Sequence, residues 1–183
     1  MNYKRVFTSL LLIVFFTAFQ AEAQRKKKKK HDPEKAQTTM VEFKKVDSGM
    51  ANFASKAYGY AVFPSIGKGA IGIGGAAGKG VVYEKGKVAG GVNMTQISFG
   101  FQFGGQAYSE VIFFEDAAAF ERFKENELQF AAQVSAVALK SGISANAKYS
   151  DGVVVFTMAK GGLMYEASVG GQRFKFITPN KMK

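Results

Sequence analysis

The stretch from Tyr58 to Gly80, YGYAVFPSIGKGAIGIGGAAGKG, constrains the fold more than any other part of the chain. Tyr58, Tyr60 and Val62 alternate with Gly59, Ala61 and Phe63, and Ile71 and Ile73 alternate with Gly72 and Gly74. That is the period of two that belongs to a strand. Glycine at such density costs a helix about 1 kcal/mol per position. The segment therefore reads as sheet, with glycines where strands approach closely or the sheet bends.

Strand signals continue downstream. Val81–Glu84 and Lys87–Val92 flank a Lys85-Gly86 turn and read as a hairpin. Ile97, Phe99, Phe101 and Phe103 line one face opposite Ser98, Gly100, Gln102 and Gly104. Further strands are expected at Val111–Phe114, Leu128–Leu139, Val153–Met158, Gly162–Ser168 and Gln172–Thr178, as short elements separated by glycine turns. Two helices frame them. Asp32-Pro33 is a cap followed by a residue preformed for the first helical turn, and Ala36, Met40, Phe43, Met50 and Ala54 form an apolar stripe behind it. Asp47 is its polar exception and marks where it would break, and Asp116 caps a second, short helix. The class is α+β: an N-terminal amphipathic helix, then a glycine-rich, curved or barrel-like antiparallel sheet with one further short helix.

A length of 183 residues with 47% apolar side chains fits one cored domain. It is expected over 33–183, after a signal peptide at 1–23 and a disordered basic arm at 24–32. Lys4 and Arg5 precede the apolar run Val6–Phe19, and Ala21-Glu22-Ala23 follows it. As a helix the 14-residue run reaches about 21 Å, short of a bilayer core of about 30 Å. Length favours a cleaved leader, whereas the basic cluster directly after it favours a retained one. With no cysteine the chain has no disulfide, thiolate metal site or lipidated cysteine.

Motif chemistry is thin. Gly72-Ile73-Gly74-Gly75-Ala76-Ala77 matches a dinucleotide loop by letters, but no helical period follows it. The P-loop spacing fails because Ile73 and Gly80 stand where a glycine and a hydroxyl are needed. His31, the single histidine, lies in the arm with nothing expected to hold it, so no catalytic residue, cofactor or metal is expected. Glu110 reads as a solvated strand-edge carboxylate, as do Glu84 and Asp151.

The blocks Gly59-Tyr60-Ala61-Val62-Phe63-Pro64, Lys68-Gly69, Gly72-Ile73-Gly74-Gly75-Ala76, Phe103-Gly104-Gly105-Gln106, Lys160-Gly161-Gly162-Leu163 and Gly170-Gly171 together resemble the SYLF family, from about Thr38 to Phe176. The resemblance implies a lipid-binding module. In its eukaryotic branch an amphipathic N-terminal helix contributes to membrane contact, and Asp32–Ala54 occupies that place here. Bacterial relatives are often lipoproteins, from which the missing cysteine departs.

The expected function is that of an exported periplasmic or envelope protein, peripherally membrane-associated and non-enzymatic. It would bind anionic lipid or another anionic envelope polymer through Arg25, Lys26, Lys27, Lys28, Lys29, Lys30, Lys44, Lys45, Lys68 and Lys79. A non-catalytic scaffold that binds a protein partner through Phe99–Phe103 is the alternative. Nucleic acid is disfavoured as a partner, because no aromatic interleaves the basic run.

Overall fold

Strand-forming residues keep this chain extended over much longer stretches than the short strands expected. In the computed structural model, which describes residues 31–125 and 137–182, β1 runs Gly59–Glu84, β2 Lys87–Phe114, β3 Val137–Ala138 and β4 Val153–Ile177. The order is β1-β2-β4-β3, antiparallel except for the β3–β4 pair, and the sheet is not closed into a barrel. Glycines expected to separate strands instead lie within them, because a glycine in the ladder keeps both backbone hydrogen bonds. Pairing of β1 with β2 runs from Gly59↔Phe114 to Glu84↔Lys87 with three irregularities. At the connecting turn Lys85 (φ 48°) and Gly86 (φ 78°) are both left-handed, as a two-residue hairpin turn with matching twist requires. The signal-peptide and arm assignments at 1–30, and most of the expected strand Leu128–Leu139, lie outside the described residues; Val137–Ala138 of that strand is β3.

Gly72 (φ 74°), Gly104 (φ 117°) and Gly162 (φ 97°) adopt backbone conformations that residues with a side chain rarely reach. The register sets Gly104 opposite Ala70, and Gly162 opposite Gln106, so these glycines lie close to one line across the three strands. Along that line the ribbon folds back on itself. A Cβ added at Gly80 would stand 2.7 Å from the Val62 carbonyl, and one at Gly59 2.7 Å from that of Tyr83. The Lys85 amide donates to the Tyr58 carbonyl at 3.0 Å, tying the two ends of β1 together.

Folding the ribbon creates an inside and an outside. The inner core unites Phe63, Ile66, Met94, Ile112, Phe114 and Phe174 with Phe120 and Phe123 of α3 (Ala117–Lys124). That helix is capped by Asp116, whose Oδ1 accepts from the Ala119 amide at 2.8 Å. On the outer face, at the end away from the hinge line, α1 (Pro33–Val46) and α2 (Met50–Lys56) cover Val62, Val81, Val111, Phe113, Val154 and Phe156. Met40, Phe43 and Met50 are buried there. These apolar side chains therefore serve the core and are not free to enter a membrane, since the sheet offers them an apolar face at closer range.

Asp47, the exception in the helical stripe, is buried and joins distant segments. Its Oδ1 accepts from the Gly49 amide at 2.9 Å, and its Oδ2 from the Ser144 amide at 2.8 Å. The Ser144 bond is the main cause holding its carboxyl below the usual range. Its stabilisation is therefore present above the unfolded pKa and lost as pH falls through the lower folded one. Asp47→Ala should cost about 1–3 kcal/mol near neutral pH and flatten the acid limb of the stability profile, read as urea midpoints across pH.

Glycine function divides by position, and substitution separates the classes. Gly80→Val should lower the denaturant midpoint by about 1–3 kcal/mol, because the new side chain meets backbone and the Phe63 ring. The expectation that the strand glycines mark close approach is not met at Gly75, where the nearest neighbour of a Cβ would be the Gln96 carbonyl at 3.8 Å. Gly75→Val should stay within about 0.5 kcal/mol of the parent in the same assay.

Candidate functional site

Beyond the two helices the outer face of the sheet is bare, and strand register arranges it in ranks about 7 Å apart. Nearest the helices, Val81, Gly91 and Ile177 form one rank, with the His31 ring seated over Gly91. His31 Nδ1 lies 3.0 Å from the Gly80 carbonyl. The histidine expected to be unheld is therefore fixed to the sheet, because Gly91 leaves room for its ring: a Cβ there would stand 2.6 Å from it.

The next rank is Lys79, Asn93 and Lys175, followed by Ala77, Thr95 and Arg173. Arg173 and Lys175 are exposed and Lys79 is half-buried. Then the chemistry changes. Gly75, Ile97 and Gly171 form a rank, and Ile73 and Phe99 pair in the one after it. Across the hinge line Ile71 pairs with Phe103. Ile71 is 82% exposed, Ile73 64%, Ile97 61%, Phe99 60% and Phe103 62%. Five large apolar side chains thus form a crest along the fold of the sheet, with cations in ranks behind it.

The charge balance around the crest is one-sided. The parts of the three strands nearest it, 64–80, 93–109 and 158–175, contain Lys68, Lys79, Lys160, Arg173 and Lys175 against Glu166 as the lone acid. Lys160 donates to the Pro64 carbonyl at 3.0 Å. Two cavities lie elsewhere, on the helical side: one of about 490 Å³ beside Asp47 and Ser144, and one of about 280 Å³ between α1 and Tyr60 and Tyr83. The polar centre of the first is already committed, since both Asp47 oxygens accept backbone amides.

The residues expected to bind lipid do not converge on one patch. Lys79 belongs to the basic rank, while Lys68 is half-buried opposite Gln106 on the first half of β1. Lys44 and Lys45 are exposed in the last turn of α1, over the helix-covered end. Arg25–Lys30 lie outside the described residues, but the chain that carries them enters the sheet at His31, one rank from Lys79. The sequence reading missed Arg173 and Lys175, although their alternation with Phe174 and Phe176 was the available signal. It grouped Ile97, Phe99 and Phe103 on one face correctly, but period alone does not say whether a helix covers that face. The Phe101 side chain lies outside the described residues.

Residues 95–178 match the model of the Ysc84 family, described as "Las17-binding protein actin regulator". That span holds Ile97, Phe99, Phe103, Arg173 and Lys175, whereas Ile71, Ile73 and Lys79 precede it. Over 121 residues, 65% of the chain, the sequence is 32% identical to Beta cell expansion factor A of Aeromonas veronii. The match covers 46% of that relative, so the chain spans about half its length. The motif blocks, the family match and this relative agree on one assignment: residues 95–178 carry a Ysc84, or SYLF, domain.

Proposed function

We propose that this protein is an exported, non-catalytic lipid-binding module that seats the crest of its folded sheet in an anionic membrane surface. The observation that carries the reading is the crest itself: Ile71, Ile73, Ile97, Phe99 and Phe103, each more than half exposed, backed by basic ranks. A contiguous apolar patch on a folded surface marks an interaction site. The surrounding cations select its partner. Each Lys or Arg near an anionic bilayer contributes about 1 kcal/mol, and a few partly inserted apolar side chains add a comparable amount each. Either term alone gives weak attachment, and together they give a stable one.

The arm carries charge of the same sign. Arg25–Lys30 directly precede His31 in the chain, and their six cations add to the attraction that an anionic surface exerts on the basic ranks. The leader-like segment at 1–23 supports export. A non-catalytic role is supported by the absence of cysteine and by the use of the only histidine at Gly80. Family membership supports a lipid-binding or actin-regulator-like module. Its description as Las17-binding also favours a second reading, in which the crest receives a protein partner.

Flotation with phosphatidylcholine vesicles, with and without phosphatidylglycerol, separates these readings. The full chain should float with the anionic vesicles. The double variant Phe99→Ser, Phe103→Ser should keep the parental denaturation midpoint yet partition about tenfold less or worse, since each ring contributes about 1–2 kcal/mol of burial. Equal partitioning of parent and double variant would remove the crest as the membrane element. No flotation of either, at low salt, would favour the protein partner.

A further inference from the structure

Glu110 is a buried ionisable group that the membrane reading leaves unused. It was expected at a solvated strand edge, but it is 1% exposed on the inner face, opposite Phe63 and Thr157. Gln172 Nε2 donates to Glu110 Oε2 at 3.2 Å and lies 3.4 Å from Gln96 Oε1. Glu110 Oε1 has no partner among the described residues. These three residues do not sit side by side along the ladder. Glu110 stands on the first half of the folded sheet, whereas Gln96 and Gln172 pair with each other on the second, directly beneath Ile97 and Gly171 of the crest.

We propose that Glu110, Gln172 and Gln96 form a proton-operated latch, which clamps the two halves of the folded sheet behind the crest and takes up a proton when the crest docks on an anionic membrane. The protonated side chain is neutral, still accepts from Gln172 Nε2 through its carbonyl oxygen and leaves no buried charge. The ionised one places a charge in the core with only one donor, so the halves separate more readily along the hinge line. Burial is the main cause that raises the carboxyl to about 7, and the Gln172 bond opposes it. Folding therefore binds this proton more tightly than the unfolded chain does. The associated stability is full at pH below about 4.5 and declines as pH rises towards about 7.

Few other charged groups face this site. Tyr108 of β2 shares the inner face one rank nearer the hinge line, and Lys68 of β1 is opposite Gln106 one rank further. From β4, Glu166 stands opposite Gln102 in register, and α3 contributes Phe120 and Phe123 to the same core. A membrane supplies the proton on its own account, because a surface at about −30 mV concentrates protons about threefold.

The inference rests on the membrane reading, and two measurements on full-length protein and Glu110→Gln test the two separately. The first needs no lipid: hydrogen exchange of the amides in 96–106, corrected for intrinsic rate, at pH 6 and pH 8. Wild-type protection should fall about tenfold at the higher pH, as expected for a group titrating near 7, and Glu110→Gln should show no such loss. The second is partitioning to phosphatidylglycerol vesicles, which for wild type should be about two- to threefold stronger at pH 6 than at pH 8, the gain a threefold rise in surface proton concentration allows, and for Glu110→Gln nearly constant. Protection in wild type that is the same at both pH values overturns the latch, whether or not the variant folds. A pH-dependent exchange with no vesicle binding keeps the latch and overturns the membrane reading.

Discussion

A line of left-handed glycines governs this molecule. Three strands of roughly 25 residues would form an open ribbon with two faces to cover, and one small helical layer covers only part of one. Gly72, Gly104 and Gly162 let the ribbon fold across its strands, so that its two halves cover each other. The inner core of Phe63, Met94, Ile112, Phe114 and Phe174 exists because of that fold. So do the close approaches of Gly59 to Tyr83 and of Gly80 to Val62, positions where a Cβ does not fit.

The same fold produces the functional surface. Bending a sheet across its strands leaves a convex edge on which outward side chains diverge and find no packing partner. Polar residues would make that edge inert. Here it carries Ile71, Ile73, Ile97, Phe99 and Phe103, with Arg173, Lys175 and Lys79 following along the strands. The helices cover the opposite end, which is why their apolar stripe is consumed by the core. Behind the crest, the Glu110–Gln172–Gln96 bridge is a polar element of a largely apolar interior. An ionisable group there costs stability, and its position between the two halves is what gives it a role.

Class and local chemistry were legible in the sequence where they depend on neighbours along the chain. The cap at Asp32, the cap at Asp116 and the Lys85-Gly86 turn are read from adjacent residues, because the physics involved is local. What failed depends on the fold-over. Glycines 72, 104 and 162 read as strand residues like their glycine neighbours, and although bending at glycines is expected, nothing local says which of them form the hinge, since any glycine tolerates that φ. Glu110 looks exposed because its partner Gln172 comes from the far half of another strand. Likewise, Met40 and Phe43 look as suited to lipid as to core until the face they cover is known. The crest was half legible: alternation grouped Phe99 with Phe103, but their exposure follows from where the helices stop.

Insertion depth, position by position, tests the central claim most directly. The chain contains no cysteine, so a single introduced one carries a unique polarity-sensitive label. Labels at Phe99, at Lys175 and at Val41 of α1 sample the crest, the basic ranks and the helical end. On phosphatidylglycerol vesicles the label at Phe99 should shift to the blue and be quenched by brominated acyl chains. The label at Lys175 should report the headgroup layer, and that at Val41 should stay in water. Acyl-chain quenching at Val41 with an aqueous label at Phe99 would contradict the account, and would return membrane contact to the helix.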